Sequence, residues 1–142
     1  MADVDRLVEI EITTFDSKKY PIIQKKQFQY LITKGKSEVW LAEESGCIFG
    51  YMILLFRENS SIGRLYSIAV DPLFQGGDIG RRLFVFAEKR VKENSRKYLS
   101  QEIRSDHIKL LNRYTQLGYR HFGILRNYYP DNGDGIKLVK EL

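Results

Sequence analysis

Residues 65–84, LYSIAVDPLFQGGDIGRRLF, decide how the chain is read. Leu65, Ile68, Ala69 and Val70 form the end of an apolar strand. Asp71-Pro72 stops it, because proline lacks the N–H that a ladder needs and pushes the preceding residue away from helical geometry. Gln75-Gly76-Gly77-Asp78-Ile79-Gly80 makes a glycine-rich turn. From Arg81 to Arg90, Leu83, Phe84 and Ala87 recur at helical spacing, with Phe86 beside them. Glycines let a backbone approach a ligand closely. The first amides of a helix have no acceptor within it and favour an anion. The unit therefore suits a phosphate cradle. The glycines alone fit a plain strand–helix connection equally well.

Upstream of this unit, Glu38–Glu43 (EVWLAE) and Cys47–Phe56 (CIFGYMILLF) are strand runs on either side of a Glu44-Ser45-Gly46 turn, which makes a hairpin. Gly63–Val70 is the next strand. Val4–Ile12 (VDRLVEIEI) alternates in part and is rich in β-branched residues, so it reads as an edge-like first strand. Thr13–Lys19 is a polar turn region. Pro21 suits the first turn of a helix, and Ile22, Ile23, Phe28, Leu31 and Ile32 fall near helical spacing. One or two short helices are expected there, with Gly35 as the stop.

Downstream, the helix after the glycine turn runs to about Glu93. Tyr98–Arg104 (YLSQEIR) alternates as a strand. Ser105 or Asp106 can cap a helix from His107 to Leu117, which Gly118 ends. Tyr119–Leu125 and Gly135–Leu142 make a last strand pair around the turn Asp131-Asn132-Gly133-Asp134.

The 142 residues fit one domain, 1–142, able to bury a real core. With 43% hydrophobic and 29% charged residues, the chain has the balance of a soluble globular protein. A single cysteine, Cys47, excludes an internal disulfide framework and reads as a buried strand residue. His121 has no partner His or Cys pattern, so no metal site is expected. No apolar run approaches the length of about 20 that spans a bilayer, and no secretory leader is read at the start. A cytoplasmic protein with no membrane partner is expected. The net charge of +5 comes from bases mixed with acids along the chain. That pattern reads as a mildly basic surface suited to a ligand with several phosphates, not as a direct nucleic-acid site.

The spacing of the glycine turn is neither GxGxxG nor the P-loop, since no Lys-Ser or Lys-Thr pair follows Gly80. It resembles motif A of the GNAT superfamily of N-acetyltransferases: an apolar strand, V-x-P, then Gln or Arg, two residues, Gly, one residue, and Gly or Ala. Here the motif stands as Val70-Asp71-Pro72 and Gln75 through Gly80, with Asp78 in the place of the first motif glycine. Glu102-Ile103-Arg104-Ser105-Asp106-His107, Leu110-Leu111, Tyr114 and Leu117-Gly118-Tyr119 resemble motif B. His107 takes the place of its usual asparagine. Two motifs in the right order and separation are far more specific than either alone. The resemblance runs from about Val39 to the C-terminus. Asn127-Tyr128-Tyr129-Pro130 narrows it to the RimI-like acetyltransferases of ribosomal-protein N-termini, which carry such a run in their late hairpin.

The resemblance implies an α/β (α+β) GNAT fold, a mixed and mostly antiparallel sheet of about seven strands with helices on both faces. It implies acetyl-CoA as donor and a primary amine as acceptor, above all a protein N-terminal α-amine. The amides of Gln75, Gly76, Gly77, Asp78, Ile79 and Gly80 would hold the pyrophosphate, with Arg81 and Arg82 beside them. The backbone of Ile68, Ala69 and Val70 would pair with the pantetheine, and His107 would stand near that arm. Tyr114 would return a proton to the leaving thiolate. Glu102 would take the proton of the amine. Tyr128 and Tyr129 would border the acceptor peptide. Each residue also has a plainer reading: a packed ring for Tyr114, an ion pair with Arg104 or Arg126 for Glu102, solvated helix arginines, and tyrosines that cover the sheet. A small-molecule amine or lysine acceptor, or a non-catalytic CoA-binding module, is the alternative function. A monomer and a homodimer are both open.

Overall fold

The computed structural model describes residues 2–33 and 36–142. One six-stranded sheet, in the order β1-β2-β3-β4-β6-β5, carries every strand among the described residues. β1 (Ser37–Glu44) and β2 (Cys47–Phe56) form the hairpin. Ser45 and Gly46, with φ of 52° and 79°, make its turn, the conformation that matches the twist of paired strands. β3 (Ile62–Val70) returns antiparallel to β2. α3 (Ile79–Glu93) then crosses over to β4 (Tyr98–Arg104), which lies parallel to β3. After α4 (Ile108–Gln116), β5 (Arg120–Leu125) forms the far edge and β6 (Gly135–Glu141) inserts between β5 and β4. Every pairing except β3–β4 is antiparallel.

Helices cover both faces. On one, α1 (Ala2–Thr14) and α2 (Lys25–Thr33) pack Val4, Leu7, Ile10 and Phe28 against Tyr51, Ile53 and Ala69. On the other, α3 and α4 pack Leu83, Phe84, Ala87, Val91 and Leu111 against Met52, Leu54, Leu99 and Leu138. Alternate residues of β2 therefore enter different cores, which is why its sequence is almost continuously apolar. At Gly63 a Cβ would stand 2.7 Å from Val91, so glycine is what lets β3 approach α3. No helix among the described residues is long and apolar enough to cross a membrane.

The sheet has six strands and not about seven, because Val4–Ile12 lies in α1. The decisive period is visible afterwards: Val4, Leu7, Ile10 and Glu11 are buried at spacings of three and four, while Ile12 is exposed. Asp3 and Asp5 in the first turn also favour a helix start. Pro21 does not open a helix, since α2 begins at Lys25. Gly35 lies outside the described residues. Cys47 is exposed, not buried, because it is the first strand residue after the hairpin turn. Neither Ser105 nor Asp106 caps α4. Its N-cap is His107 without a side-chain bond, and Asp106 is turned instead to Arg104. Gly118, at φ 97°, ends α4 as expected.

The helical reading of α1 makes a sharp prediction for chemical denaturation. Leu7→Ala should cost about 2–5 kcal/mol of stability, as a cavity in the core does. Ile12→Ala should cost under about 0.5 kcal/mol, as an exposed change does. Comparable costs at both positions would restore the strand.

Candidate active site

β3 and β4 share a ladder only from Ile62–Arg64 to Tyr98–Ser100. Past that point the strands part, and the facing edges of Tyr66–Val70 and Gln101–Arg104 have no strand between them. A bulge at Tyr66 marks the bend, since Ile53 opposes Ser67 while Leu54 opposes Leu65. A cleft of about 210 Å³ opens in the fork. Leu65–Ile68, Gln101–Arg104, His107, Leu110 and Tyr114 line it from the sheet and α4. Glu11, Phe15, Tyr20, Ile23, Tyr128 and Tyr129 line it from the α1 and α2 side.

Tyr114 is buried, with its ring centroid 4.9 Å from Phe84 and 5.8 Å from Tyr119. It packs as a core tyrosine and lines the cleft at once. Burial pushes its phenol pKa up, so the hydroxyl keeps its proton at neutral pH.

Glu102 pairs with neither Arg104 nor Arg126. Its Oε1 lies 2.6 Å from Arg64 Nη2. Arg64 pairs with Ser100 across the last rung, so its long side chain reaches diagonally to residue 102 on the same face. The Tyr128 hydroxyl stands within 3.5 Å of Glu102 Oε1 and accepts from Arg64 Nη2 at 3.2 Å. Arg126 instead meets Asp134 at 3.3 Å.

Arg104 does something that its place in the motif did not reveal. Its buried guanidinium donates to both oxygens of Asp131 at 3.0 and 2.8 Å, and to both oxygens of Asp106 at 3.1 Å. It also donates to the Lys19 carbonyl at 2.9 Å. The rings of Tyr20 and Tyr129 flank it at 5.6 and 5.0 Å. These bonds hold Asp131 down to about 2. One side chain thus ties the segment between α1 and α2 to the loop between β5 and β6. Tyr129 is buried in this junction, while Tyr128 is exposed.

Glu11 was also missed. It is fully buried beside the cleft, where it accepts the Ile23 amide at 2.9 Å and the Tyr51 hydroxyl. Burial raises its pKa, against the pull of those donors. An acid within an apolar helical stripe is the signal that would have found it, and the strand reading hid that stripe. Phe15 and Tyr20 carried no signal in the sequence beyond being aromatic.

The glycine turn lies at the far end of β3 and is not part of the cleft lining. Asp71 anchors its start, accepting the Leu73 amide at 2.9 Å and Arg6 Nη2 at 2.7 Å. Gly76 holds φ 94°, which favours glycine. Gln75 donates its side-chain amide to the Val70 carbonyl at 2.9 Å. Asp78 is the N-cap of α3 but makes no side-chain cap bond, which leaves the first amides of α3 without one from it. Arg81 and Arg82 are exposed beside it. The structure therefore brings Ile68, Glu102, His107, Tyr114, Tyr128 and Tyr129 to one cleft. It sets Gln75–Arg81 beyond the Val70 end of the same open edge, while Ala69 turns its side chain into the core under α1.

Residues 6–139 match the family described as acetyltransferase (GNAT) domain. A Bacillus subtilis (strain 168) protein named "Putative ribosomal protein bS18-alanine N-acetyltransferase" is 29% identical over 98% of this chain and 89% of its own length. The crystal structure of the ribosomal-protein-S18-alanine N-acetyltransferase from Escherichia coli superposes with a TM-score of 0.82 at 21% identity. That match covers 99% of this chain and 88% of the other. A GNAT family acetyltransferase from Elizabethkingia anophelis with acetyl-CoA bound gives a TM-score of 0.72 at 24% identity, covering 84% of each chain. A mixed sheet forked between its two parallel strands, a glycine turn opening the crossover helix and a family match over nearly the whole chain agree: this chain belongs to the GNAT acetyltransferases and is an acyltransferase.

Proposed function

We propose that this chain, acting as one domain over residues 1–142, moves the acetyl group of acetyl-CoA to the α-amine of a protein N-terminus. The observation that carries the reading is the forked cleft, where Glu102 and Tyr114 face a narrow space walled outside by Phe15, Tyr20, Tyr128 and Tyr129. A chain end fits such a space. The name of the Bacillus subtilis relative supports the acceptor class. An acceptor of this class places the reaction in the cytoplasm.

The residues fit the donor. Ile68–Val70 offer an unpaired strand edge to an extended pantetheine, in the manner of strand addition. Gly76, Gly77, Ile79 and Gly80 offer backbone amides at a helix start to the pyrophosphate, and Arg81 adds a cation that offsets Asp78. His107, at the start of α4, lines the cleft where it would border that arm. Bound acetyl-CoA supplies an acyl group activated as a thioester.

The acceptor amine must lose a proton, and an α-amine with a pKa near 8 yields it more readily than lysine above 10. Glu102 takes that proton, directly or through water. Arg64 and Tyr128 fix the carboxylate at the wall of the cleft. As the amine nitrogen bonds to the acyl carbon and the carbon–sulfur bond breaks, Tyr114, kept protonated by burial, would give its phenol proton to the leaving thiolate.

Calorimetry with acetyl-CoA, CoA and NADH tests the donor, and a screen of free-amine peptides, N-blocked lysine peptides and small amines tests the acceptor. Micromolar binding of both CoA species and transfer only to free N-termini are expected; transfer to lysine or small amines alone would sink the acceptor class. Tyr114→Phe should lower kcat roughly ten- to a thousand-fold with acetyl-CoA affinity within about twofold. Unchanged turnover would remove it from the mechanism. Glu102→Gln should abolish the acidic limb of the kcat/KM pH profile, and an unaltered limb would point to another base. Arg104→Ala should raise the peptide KM by about tenfold or more while leaving the Kd for acetyl-CoA unchanged. Equal losses in both would make it a general structural residue.

A further inference from the structure

Gln101 has a side chain with no part in the proton transfers of Glu102 and Tyr114. The residue is 4% exposed, and among the described residues its Nε2 has no hydrogen-bond partner. Buried side-chain donors are nearly always paired, because stripping water from an amide without replacing its bond is costly. Gln101 is the first residue of β4 past the last rung to β3, and it lines the cleft. Strand alternation puts it on the same face as Leu99 and Ile103, both of the core under α3 and α4, and opposite to Glu102 and Arg104. Leu65, Ile103 and Leu110 of the same lining offer no polar side-chain atom, and the Tyr114 hydroxyl, on the same side of the sheet, does not bond Gln101 Nε2. An apolar residue of similar size would sit there without the cost.

We infer that the Gln101 carboxamide donates its N–H to the acyl carbonyl oxygen of the bound donor. The inference rests on the acetyl-CoA reading. The fork closes at the Arg64–Ser100 rung, so an arm entering along the open edge from Val70 has its tip, the acyl group, nearest residue 101. A donor held there strengthens as the carbonyl oxygen gains negative charge, and it needs no reorganisation to do so.

The test is binding, with stability as the control. Gln101→Leu should weaken acetyl-CoA about three- to tenfold by calorimetry, leave CoA within twofold, and leave the Tm of the free protein equal or higher. Gln101→Met, unbranched and of similar length, should behave alike and serves if the leucine variant fails to fold. Equal losses for acetyl-CoA and CoA, an unchanged acetyl-CoA affinity, or a lower Tm with both affinities intact would each overturn the assignment. Wild type that binds neither ligand would instead overturn the donor reading itself, and this inference with it.

Discussion

Two adjacent parallel strands that share three rungs and then part leave backbone groups on both facing edges without a ladder. A sheet normally avoids that condition, since buried amides and carbonyls demand partners. Here the fork is stabilised from outside. α3 and α4 hold one face, α1 and α2 the other, and β6 pairs along the whole of β4 so that the parted strand keeps one complete ladder. β2 does the same for β3, with the bulge at Tyr66 absorbing the bend. The open edges are then available to a ligand, and the tips of two other segments close over them.

Arg104 is what makes that closure specific. A guanidinium that serves two carboxylates and a carbonyl, between two aromatic rings, has spent its directional bonds on positioning. It stands on the strand that also carries Glu102, so the acceptor walls and the proposed base share one rigid element. The loop-borne walls gain their precision from that strand as well as from the packing of Phe15, Tyr20, Tyr128 and Tyr129 on one another.

Much of this was legible in the sequence, and the rest was not, for physical reasons. The segment from β3 to α4 was legible because its constraints are local: a proline stop, a positive-φ glycine, a helix start, and apolar residues at fixed spacing. α1 was misread because VDRLVEIEI satisfies a period of two nearly as well as 3.6 over so short a stretch. Only burial of Leu7 beside exposure of Ile12 separates the two. The partner of Glu102 was misassigned because Arg64 is near only through the crossover register, which no local pattern states. Cys47 was misplaced for the opposite reason: a strand end beside a turn is exposed whatever the hydropathy of the run. The unpaired amide of Gln101 had no signature at all, since its meaning lies in what fails to surround it.

The two halves of the cleft differ in how far apart their parts lie along the chain. The donor half is built from one continuous run, β3 through α4. The acceptor half joins Lys19 to Arg104, a separation of 85 residues, and then to Asp131, a further 27. Closing so long a loop carries an entropic cost that only late contacts offset, and a ribosome delivers those contacts last. The order of synthesis therefore imposes an order of competence. A nascent chain can pair β1, β2 and β3 early, but the fork has no complete ladder on β4 and the acceptor side no wall until β6 and the residues around Asp131 emerge.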